Sequence, residues 1–388
     1  MDRAAPIEPS ALEVALAPFG HSRMLPREAY TSAEVFRWEQ EAFFEGSWFC
    51  AGRAADVGHP GAQRAVLIGS EGVLLVRDAA GALRGFFNVC RHRGHELLEP
   101  GGSRHHTVIR CPYHAWVYDL DGNLRGAAGF PETPAESLSP VAVAEWHGWV
   151  FVNPSHDAAP FAAHVRGLDA MLAPWEPGRL VVAAQEEYEI AANWKIVGEN
   201  YHECYHCSSI HPELCRVTPP DSGENLEPDG AWVGGWMELL DHAETMSLTG
   251  QSRGVSLPGL DERLRRRVLY VQVFPNLLIS LHPDYVLTHR LEPLAPDRTR
   301  IECEWLFPPE AVERIGFDPA YAVEFWDITN LEDWRACESV QRGVSSRAFR
   351  PGPLSPREDA VYRFVTQVAA GYRDGRVSTP VGAPTLGS

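Results

Sequence analysis

Four side chains that commonly bind metals stand in two short pairs in the first third of the chain. Cys90 and His92 form one pair, Cys111 and His114 form the other, and 18 residues separate His92 from Cys111. Such ligands suit tetrahedral zinc or an iron–sulfur cluster. A zinc finger usually groups its cysteines before its histidines, whereas here each loop supplies one of each. This order favours a [2Fe–2S] cluster with two cysteines on one iron and two histidines on the other, and a structural zinc is the alternative.

A second group of ligand-type residues lies within residues 193–214. Glu199, Glu203 and His206 recur at i, i+4 and i+7, which is one face of a helix. His211 lies about 140° further round an ideal helix, so both histidines can bind one metal only if the helix ends or distorts between them. Ser and Pro residues beside His211 allow this. Two histidines and one carboxylate would leave positions open for O₂ and a substrate.

The cysteines of the same segment allow a different site. Cys204 and Cys207 could join His206 and His211 as four zinc ligands. In a helix, however, neither cysteine falls on the same side as His206, which favours the site with two histidines and one carboxylate. We expect all 8 cysteines to be reduced thiols or metal ligands, because a chain of 388 residues is too long for a disulfide scaffold.

The carboxylate must come from elsewhere in the chain. One stripe of a helix predicted from about residue 318 to 342 carries four residues at helical spacing: Trp326, Asn330, Asp333 and Cys337. A carboxylate on an inward-facing stripe is costly to bury unless it binds a metal or pairs with a cation. Asp333 is therefore the predicted third ligand, while Asp327 and Glu332 lie off the stripe.

These motifs resemble those of the Rieske non-haem iron oxygenases. The cluster-binding loops of that family are similar to CRHRGHEL at 90–97 and CPYHAWVYDLDG at 111–122. The extra cysteine pair of respiratory Rieske proteins has no counterpart here. Residues 193–214 resemble the mononuclear-iron segment of the large (alpha) subunits, and residues 330–343 resemble their third-ligand helix. The resemblance covers roughly residues 25–372.

The resemblance implies two cofactors and a place for each ligand. A [2Fe–2S] Rieske cluster would be held by Cys90, His92, Cys111 and His114. Mononuclear Fe(II) would be held by His206, His211 and Asp333. Glu203 stands where most of the family has an aspartate that links the two metal centres across a subunit boundary. Electrons would leave through His114, hydrogen-bonded to Glu203, towards His206 of a neighbouring subunit, which implies a head-to-tail homotrimer or a larger ring.

A glutamate at position 203 narrows the resemblance to one branch. The sequence ECYHC at 203–207 and the run RPGPLS at 350–355 are similar to the glycine betaine and proline betaine demethylases. This implies a terminal oxygenase that hydroxylates or oxidatively N-demethylates a small quaternary ammonium substrate. Two alternatives stay open: an aromatic ring-hydroxylating oxygenase with the same mechanism, and a non-catalytic Rieske electron carrier. If the chain were only an electron carrier, the second group of ligand-type residues, at 193–214, would have no function.

Composition limits the partners. The chain has 52 acidic and 34 basic residues, a net charge of −18, which argues against nucleic acid and weakly favours a cationic substrate. No segment reaches the ~18 apolar residues of a membrane span, and the N-terminus does not fit a signal peptide, so we expect a cytoplasmic protein.

No nucleotide-binding GxGxxG turn or plant-type cluster motif is present. Electrons must then come from a separate NAD(P)H-dependent flavin and iron–sulfur reductase, with or without a ferredoxin.

The spacing of apolar runs predicts an α+β fold. Short strands from Trp48 to about Asn153 predict a small all-β domain, which the resemblance identifies as the Rieske domain. It precedes a larger α+β domain, a sheet with helices packed on it, and the resemblance implies that this sheet is antiparallel and of helix-grip type. The predicted strands are 65–68, 73–77, 84–88, 107–110, 116–119, 149–152, 268–274, 277–281, 285–291 and 301–307. The predicted helices are 32–44, 193–209, 318–342 and 357–372, with a crossover from 154 to 192.

Three segments follow from this pattern. The predicted domains are an N-terminal segment (1–45) that packs on the catalytic domain, the Rieske domain (46–155) and the catalytic domain (156–388). Candidates for the substrate pocket are Trp232, Trp236, Tyr270, Phe274 and His282. Their rings could cage a trimethylammonium group by cation–π attraction of about 0.5–2 kcal/mol per ring.

Overall fold

The structure is a computed structural model that describes residues 4–377 and 379–380. The chain divides into two compact units, of which the smaller comprises residues 39–161. The larger unit is formed by the described residues on both sides of it. The smaller unit therefore begins seven residues before, and ends six residues after, the predicted bounds 46–155.

The smaller unit is built from antiparallel strands. Its strands are β1 Phe49–Arg53, β2 Ala62–Ile68, β3 Glu71–Arg77, β4 Leu83–Phe87, β5 Ser103–His105, β6 Ile109–Arg110, β7 Val117–Tyr118, β8 Leu124–Gly126, β9 Pro140–Trp146 and β10 Trp149–Asn153. Seven of them form a sheet in the order β1-β10-β9-β4-β3-β2-β5, and β6-β7-β8 form a second sheet. The six strands predicted in this region are confirmed with shifted ends.

The larger unit contains one antiparallel sheet of seven strands. Its strands are β11 Val181–Ile190, β12 Glu224–Asn225, β13 Trp232–Glu238, β14 Arg267–Val273, β15 Leu277–Leu281, β16 Val286–Ala295 and β17 Arg298–Phe307. Their order is β11-β17-β16-β15-β14-β13-β12. The four strands predicted here are confirmed. The prediction of a crossover over 154–192 is wrong at its end, where β11 lies.

Helices pack around this sheet. They are α1 Pro9–Ala15, α2 Arg27–Thr31, α3 Ala33–Glu39, α4 Phe161–His164, α5 Leu168–Leu172, α6 Trp194–Tyr201, α7 Cys207–Ile210, α8 Pro309–Val312, α9 Ala320–Val344 and α10 Asp359–Asp374. A π-helix, Gln40–Phe44, continues from α3. Among the described residues, every helix is too short or too polar to cross a membrane.

One predicted helix is wrong in a way that matters for the site. The helix expected over 193–209 begins as predicted, because the Asn193 side chain accepts a hydrogen bond from the Lys195 backbone amide (3.0 Å). It ends at Tyr201, and residues 202–206 form a turn before α7. In that turn the Glu203 carboxylate accepts a hydrogen bond from the His206 backbone amide (3.0 Å). The side chain thus satisfies a backbone group that a continuing helix would otherwise pair.

Candidate metal centres

The two Cys-His pairs come together at one end of the smaller unit. Cys90 and His92 lie in the connection between β4 and β5, and Cys111 and His114 lie in the turn between β6 and β7. Both cysteines are buried, and the two imidazole rings lie with their centroids 4.6 Å apart. The Nδ1 atom of His92 is buried and has no hydrogen-bond partner among the described residues. Two thiols, two imidazoles and an orphaned ring nitrogen fit the donor set of a Rieske cluster.

Tyr118 supports this site from β7. Its hydroxyl oxygen accepts a hydrogen bond from the Arg91 backbone amide (3.1 Å) and lies 3.2 Å from the Cys90 sulfur. Burial, followed by the contact with Cys90, raises the pKa of Tyr118 far above its usual value. The hydroxyl therefore keeps its proton and can donate it to the sulfur. Hydrogen bonds to ligand sulfurs are among the features that set the potential of such clusters.

His206, His211 and Asp333 form the second constellation, in the larger unit. Their ligand atoms all lie within 4.8 Å of one another. The Nε2 atoms of the two histidines are 3.2 Å apart, and Asp333 Oδ1 lies 3.0 Å from His211 Nε2 and 3.4 Å from His206 Nε2. Ligands at right angles and about 2.1 Å from a metal are about 3 Å apart. The spacing thus fits three ligands on one face of a metal.

Each of these histidines has a carboxylate behind it. The Nδ1 atom of His206 donates to Glu203, and the Nδ1 atom of His211 donates to Glu332 (2.8 Å). A proton on Nδ1 leaves the Nε2 lone pair free for a metal and fixes the orientation of the ring. Both rings are therefore arranged as metal ligands.

The carboxylates also shift the titration of the metal-free triad. Burial lowers the pKa of His206, but hydrogen bonds to Asp333 and Glu203 outweigh it and raise that pKa to about 9. For Asp333, burial raises the pKa, and hydrogen bonds to both histidines outweigh it and lower the value to about 2. Without a metal the triad therefore holds a proton that a metal cation would have to displace.

A cavity of about 340 Å³ opens beside the triad. Aromatic rings line it: Tyr201, Tyr205, Trp236, Tyr270, Trp326 and Trp334. Four carboxylates also line it: Glu203, Asp221, Asp333 and Asp359. Of the predicted pocket residues, Trp236 and Tyr270 are among the lining residues, whereas Trp232, Phe274 and His282 are not. These three are buried elsewhere in the larger unit.

Sequence reasoning missed two residues of this centre. Asn200, on α6, donates a hydrogen bond from its amide to Asp333 Oδ1 (3.0 Å). Glu332 was set aside because it lies off the inward stripe of α9, yet its carboxylate reaches His211. Its position next to Asp333 was the available signal. Asn200 carried no signal that spacing could detect.

The expectation that every cysteine is reduced or binds metal is wrong for one pair. Cys204 and Cys207 form a disulfide across the turn between α6 and α7, with their Cα atoms 4.9 Å apart. Bonded to each other, these sulfurs are not available to a zinc ion, so the alternative zinc site is not formed in this structure. The physical reason is that cysteines three residues apart lie close together, and in the turn that leads into α7 their sulfurs are near enough to bond to each other.

Comparisons with known proteins agree with both sites. Residues 47–139 match the Rieske [2Fe-2S] domain, and residues 177–374 match the ring hydroxylating alpha subunit (catalytic domain). Carnitine monooxygenase oxygenase subunit of Acinetobacter baumannii is 37% identical over 340 residues, covering 84% of this chain and 86% of the relative. Glycine betaine monooxygenase oxygenase subunit of Chromohalobacter salexigens is 31% identical over 363 residues, covering 85% and 81%.

A solved structure is similar over nearly the whole chain. The quaternary ammonium Rieske monooxygenase CntA in complex with gamma-butyrobetaine is 26% identical, has a TM-score of 0.74 and covers 95% of this chain and 99% of its own. The chain therefore belongs to the family of Rieske non-haem iron oxygenase alpha subunits. It is an oxidoreductase that binds a [2Fe–2S] Rieske cluster and a mononuclear iron. Its relatives are called oxygenase subunits, so each of them is one component of a larger system.

Proposed function

We propose that this chain is the terminal oxygenase of a system that oxidises a C–H bond beside the nitrogen of a small quaternary ammonium compound. The observation that carries the proposal is the cavity beside His206, His211 and Asp333, which combines aromatic rings with carboxylates. Ring faces attract a trimethylammonium group, and carboxylates add a favourable field. The named activities of the carnitine and glycine betaine relatives support the same substrate class.

The proposed reaction balances as a monooxygenation. Bound iron supplies O₂ activation, and the cluster supplies electrons one at a time. O₂ takes up two electrons and two protons, one oxygen atom leaves as water, and the other is inserted into the C–H bond. The resulting carbinol then loses its hydroxyl proton and forms a carbonyl, while the C–N electron pair leaves with the amine. Oxidation of an N-methyl group gives formaldehyde, and oxidation of the carbon backbone gives an aldehyde and trimethylamine.

The chain's own residues would have distinct roles in this reaction. We assign Cys90, His92, Cys111 and His114 to the cluster, and His206, His211 and Asp333 to the mononuclear iron. Glu203 holds Nδ1 of His206, and we infer that it also meets His114 of a neighbouring copy. Asn200 would position Asp333 through the hydrogen bond from its amide.

Arg357 favours a zwitterionic substrate over a simple cation. It is the one lysine or arginine among the described residues that line the cavity. Its guanidinium carbon lies 5.9 Å from the centre of the Tyr205 ring, and its Nη2 atom donates a hydrogen bond to the Pro220 carbonyl (3.4 Å). Within the part of the chain that the structure describes, this guanidinium has no carboxylate partner, so it can bind the carboxylate of a betaine in bidentate fashion.

The sequence contains neither a nucleotide-binding GxGxxG turn nor a plant-type cluster motif, so the electrons require a partner protein. We propose that a separate NAD(P)H-dependent reductase with flavin and an iron–sulfur centre delivers the electrons, in the cytoplasm where NAD(P)H is kept. We propose further that the active form is a head-to-tail homotrimer, in which Glu203 of one copy meets His114 of a neighbouring copy and so connects the two centres.

A pair of isosteric ligands tests the substrate class. Binding of gamma-butyrobetaine is compared with binding of 5,5-dimethylhexanoate, its carbon isostere, in which a neutral tert-butyl group replaces the trimethylammonium group and the carboxylate is kept. Both are measured by anaerobic calorimetry on iron-loaded protein. We expect the betaine to bind at least about tenfold more tightly, because two or more rings each contribute about 0.5–2 kcal/mol. Tyr270→Phe keeps a ring and should keep this ratio, whereas Tyr270→Leu should reduce it.

The outcome that contradicts the proposal is equal affinity for the two isosteres in the wild-type protein. Tighter binding of the tert-butyl compound would shift the substrate class to rings or other apolar molecules. A loss of preference in Tyr270→Phe as large as in Tyr270→Leu would remove Tyr270 from the cation site.

A further inference from the structure

His289 lines the cavity but is neither one of the proposed metal ligands nor a hydrogen-bond partner of one. It lies on β16 and is 4% exposed. Its Nε2 atom is 3.1 Å from Asn330 Oδ1, whereas its Nδ1 atom is buried and has no hydrogen-bond partner among the described residues. A buried polar atom without a partner costs free energy unless a ligand or water satisfies it.

A chain of hydrogen bonds determines which nitrogen of His289 carries the proton. The chain begins at the Asp327 carboxylate, which accepts a hydrogen bond from the Tyr188 hydroxyl (2.7 Å). Because that hydroxyl uses its proton on Asp327, its oxygen is the acceptor for the Asn330 amide. The amide NH₂ of Asn330 therefore faces Tyr188, and its carbonyl oxygen faces His289.

The orientation of the Asn330 amide determines which nitrogen of His289 is protonated. A carbonyl oxygen only accepts, so Nε2 of His289 must be the protonated nitrogen. Nδ1 then holds a lone pair and only accepts. Burial lowers the pKa of His289 to about 4, although contact with Asn330 and the charge of Asp333 oppose this, so the ring is neutral at pH 7.

We propose that Nδ1 of His289 accepts a hydrogen bond from a hydroxyl group of the substrate and thereby selects hydroxylated quaternary ammonium compounds. This inference rests on the proposed function and adds the group that the substrate must carry. A neutral acceptor suits the site because an imidazolium would repel the substrate cation. A lone pair would likewise reject a substrate carboxylate at this position, which leaves Arg357 as its partner.

Two pairs of compounds differ by the relevant hydroxyl. L-Carnitine carries a hydroxyl that gamma-butyrobetaine lacks, and choline carries one that ethyltrimethylammonium lacks. Binding is measured by anaerobic calorimetry, and kcat/KM is measured where turnover occurs. In the wild-type protein we expect the hydroxylated member of at least one pair to be preferred about tenfold or more, because the deoxy compound leaves Nδ1 unpaired.

Three variants separate recognition from folding. His289→Phe keeps an aromatic ring but removes the acceptor, and it should reduce the preference to about one without weakening the deoxy compounds. Tyr188→Phe breaks the hydrogen-bond chain from β11, outside the cavity lining, and should reduce the preference partially. His282→Phe is the matched control, because His282 is also a fully buried histidine of the sheet region but does not line the cavity, so the preference should be unchanged.

Equal affinities within both pairs in the wild-type protein would overturn the inference, and so would a preference that persists in His289→Phe. The first result would mean that water, not substrate, satisfies Nδ1. Neither result contradicts the proposed function, which fails separately if none of the four quaternary ammonium compounds binds.

Discussion

Glu203 and Glu332 each accept the Nδ1 proton of one histidine of the triad, but their surroundings differ. Glu332 lies next to Asp333 on α9 and contacts His211, which is 1% exposed. We expect Glu332→Gln to weaken iron binding at the mononuclear site by about 10–100-fold, because a neutral amide supports the ring less well. Iron titration of the metal-free protein measures this effect. Unchanged affinity would show that the contact has no role in metal binding.

Glu203 lies in the turn at residues 202–206, where its own side chain is 14% exposed and Tyr205, two residues further on, is 55% exposed. For Glu203→Gln, with iron supplied in excess so that both metals stay bound, we expect electron passage between the centres to slow. The measurement is stopped-flow oxidation of the reduced cluster after mixing with O₂ and substrate. Glu332→Gln is the matched control for loss of a carboxylate at a ligand histidine. Cluster oxidation at the wild-type rate in Glu203→Gln would exclude the bridging role.

The pKa of His206 gives metal binding a defined pH dependence. Since that pKa is raised to about 9 without metal, the ring holds a proton at pH 7 that a divalent cation must displace. Affinity for Co(II), used as a stable probe, should therefore rise about tenfold per pH unit between pH 6.5 and 8.5 and level off above about 9. Calorimetry in two buffers should detect release of about one proton. An affinity that does not change over this range would contradict the assignment.

At the scale of single residues, ligand types were predictable and their supporting contacts were not. The four proposed cluster ligands, Cys90, His92, Cys111 and His114, could be predicted because such ligands lie in tight turns that local sequence encodes. Asn200 and Glu332 act across the gap between two helices. The spacing of residues along the sequence does not give the distance between two helices.

At the scale of elements, α6 shows why the second motif was partly misread. Helical periodicity continues past Tyr201, so the sequence predicts one helix. The turn at 202–206 depends on a side chain that pairs with a backbone amide and so competes with the helical hydrogen bond of that amide. The periodicity of apolar residues does not reveal this competition. The strand β11 was missed for a related reason. It is an edge strand and mostly exposed, so it lacks the alternating apolar pattern by which strands are predicted.

The close packing of α6 against its neighbours depends on Gly198. A Cβ atom at this position would lie 2.7 Å from Phe364 Cζ and 3.0 Å from Gln272 Oε1. Gly198→Ala should therefore destabilise the larger unit by about 1–3 kcal/mol. We expect mononuclear iron to be lost at a lower temperature than in the wild type, while the visible absorbance of the cluster changes little. Thermal denaturation with iron analysis measures both.

Gly343→Ala is the matched control for this substitution. Gly343 is also helical, in α9, but a Cβ there would meet nothing within 4 Å. Alanine should be neutral or stabilising by up to about 1 kcal/mol, because it restricts the unfolded chain. Equal stability of the two variants would show that the close approach at Gly198 does not determine the packing of α6.

At the scale of the whole molecule, the metal content distinguishes an oxygenase from an electron carrier. The wild-type chain should hold about three irons, two in the cluster and one in the mononuclear site. Asp333→Ala should hold about two, keep the cluster spectrum and lose turnover. The exposed Glu324 on the same helix offers a control, since Glu324→Ala should keep all three. Three irons and normal turnover in Asp333→Ala would remove Asp333 from the site.

The fold class and the existence of two metal centres were predictable because each rests on local patterns: short strands between turns, and ligands in pairs. The shape of the cavity was not. Trp236 and Tyr270 line it while Trp232 and Phe274 do not, although all four are aromatic residues of the same sheet region. Which ring faces a cavity depends on how strands pair and helices cover them, and these are properties of the assembled unit.

The most direct test of the central claim is a single turnover. Protein reduced in advance and freed of reductant is mixed with O₂ and with L-carnitine, gamma-butyrobetaine, glycine betaine or choline. Formaldehyde and trimethylamine are then assayed. We expect one of these products in proportion to active sites, with at least one of the four compounds. Iron-loaded protein that oxidises its cluster yet releases neither product from any of them would contradict oxidation beside a quaternary nitrogen.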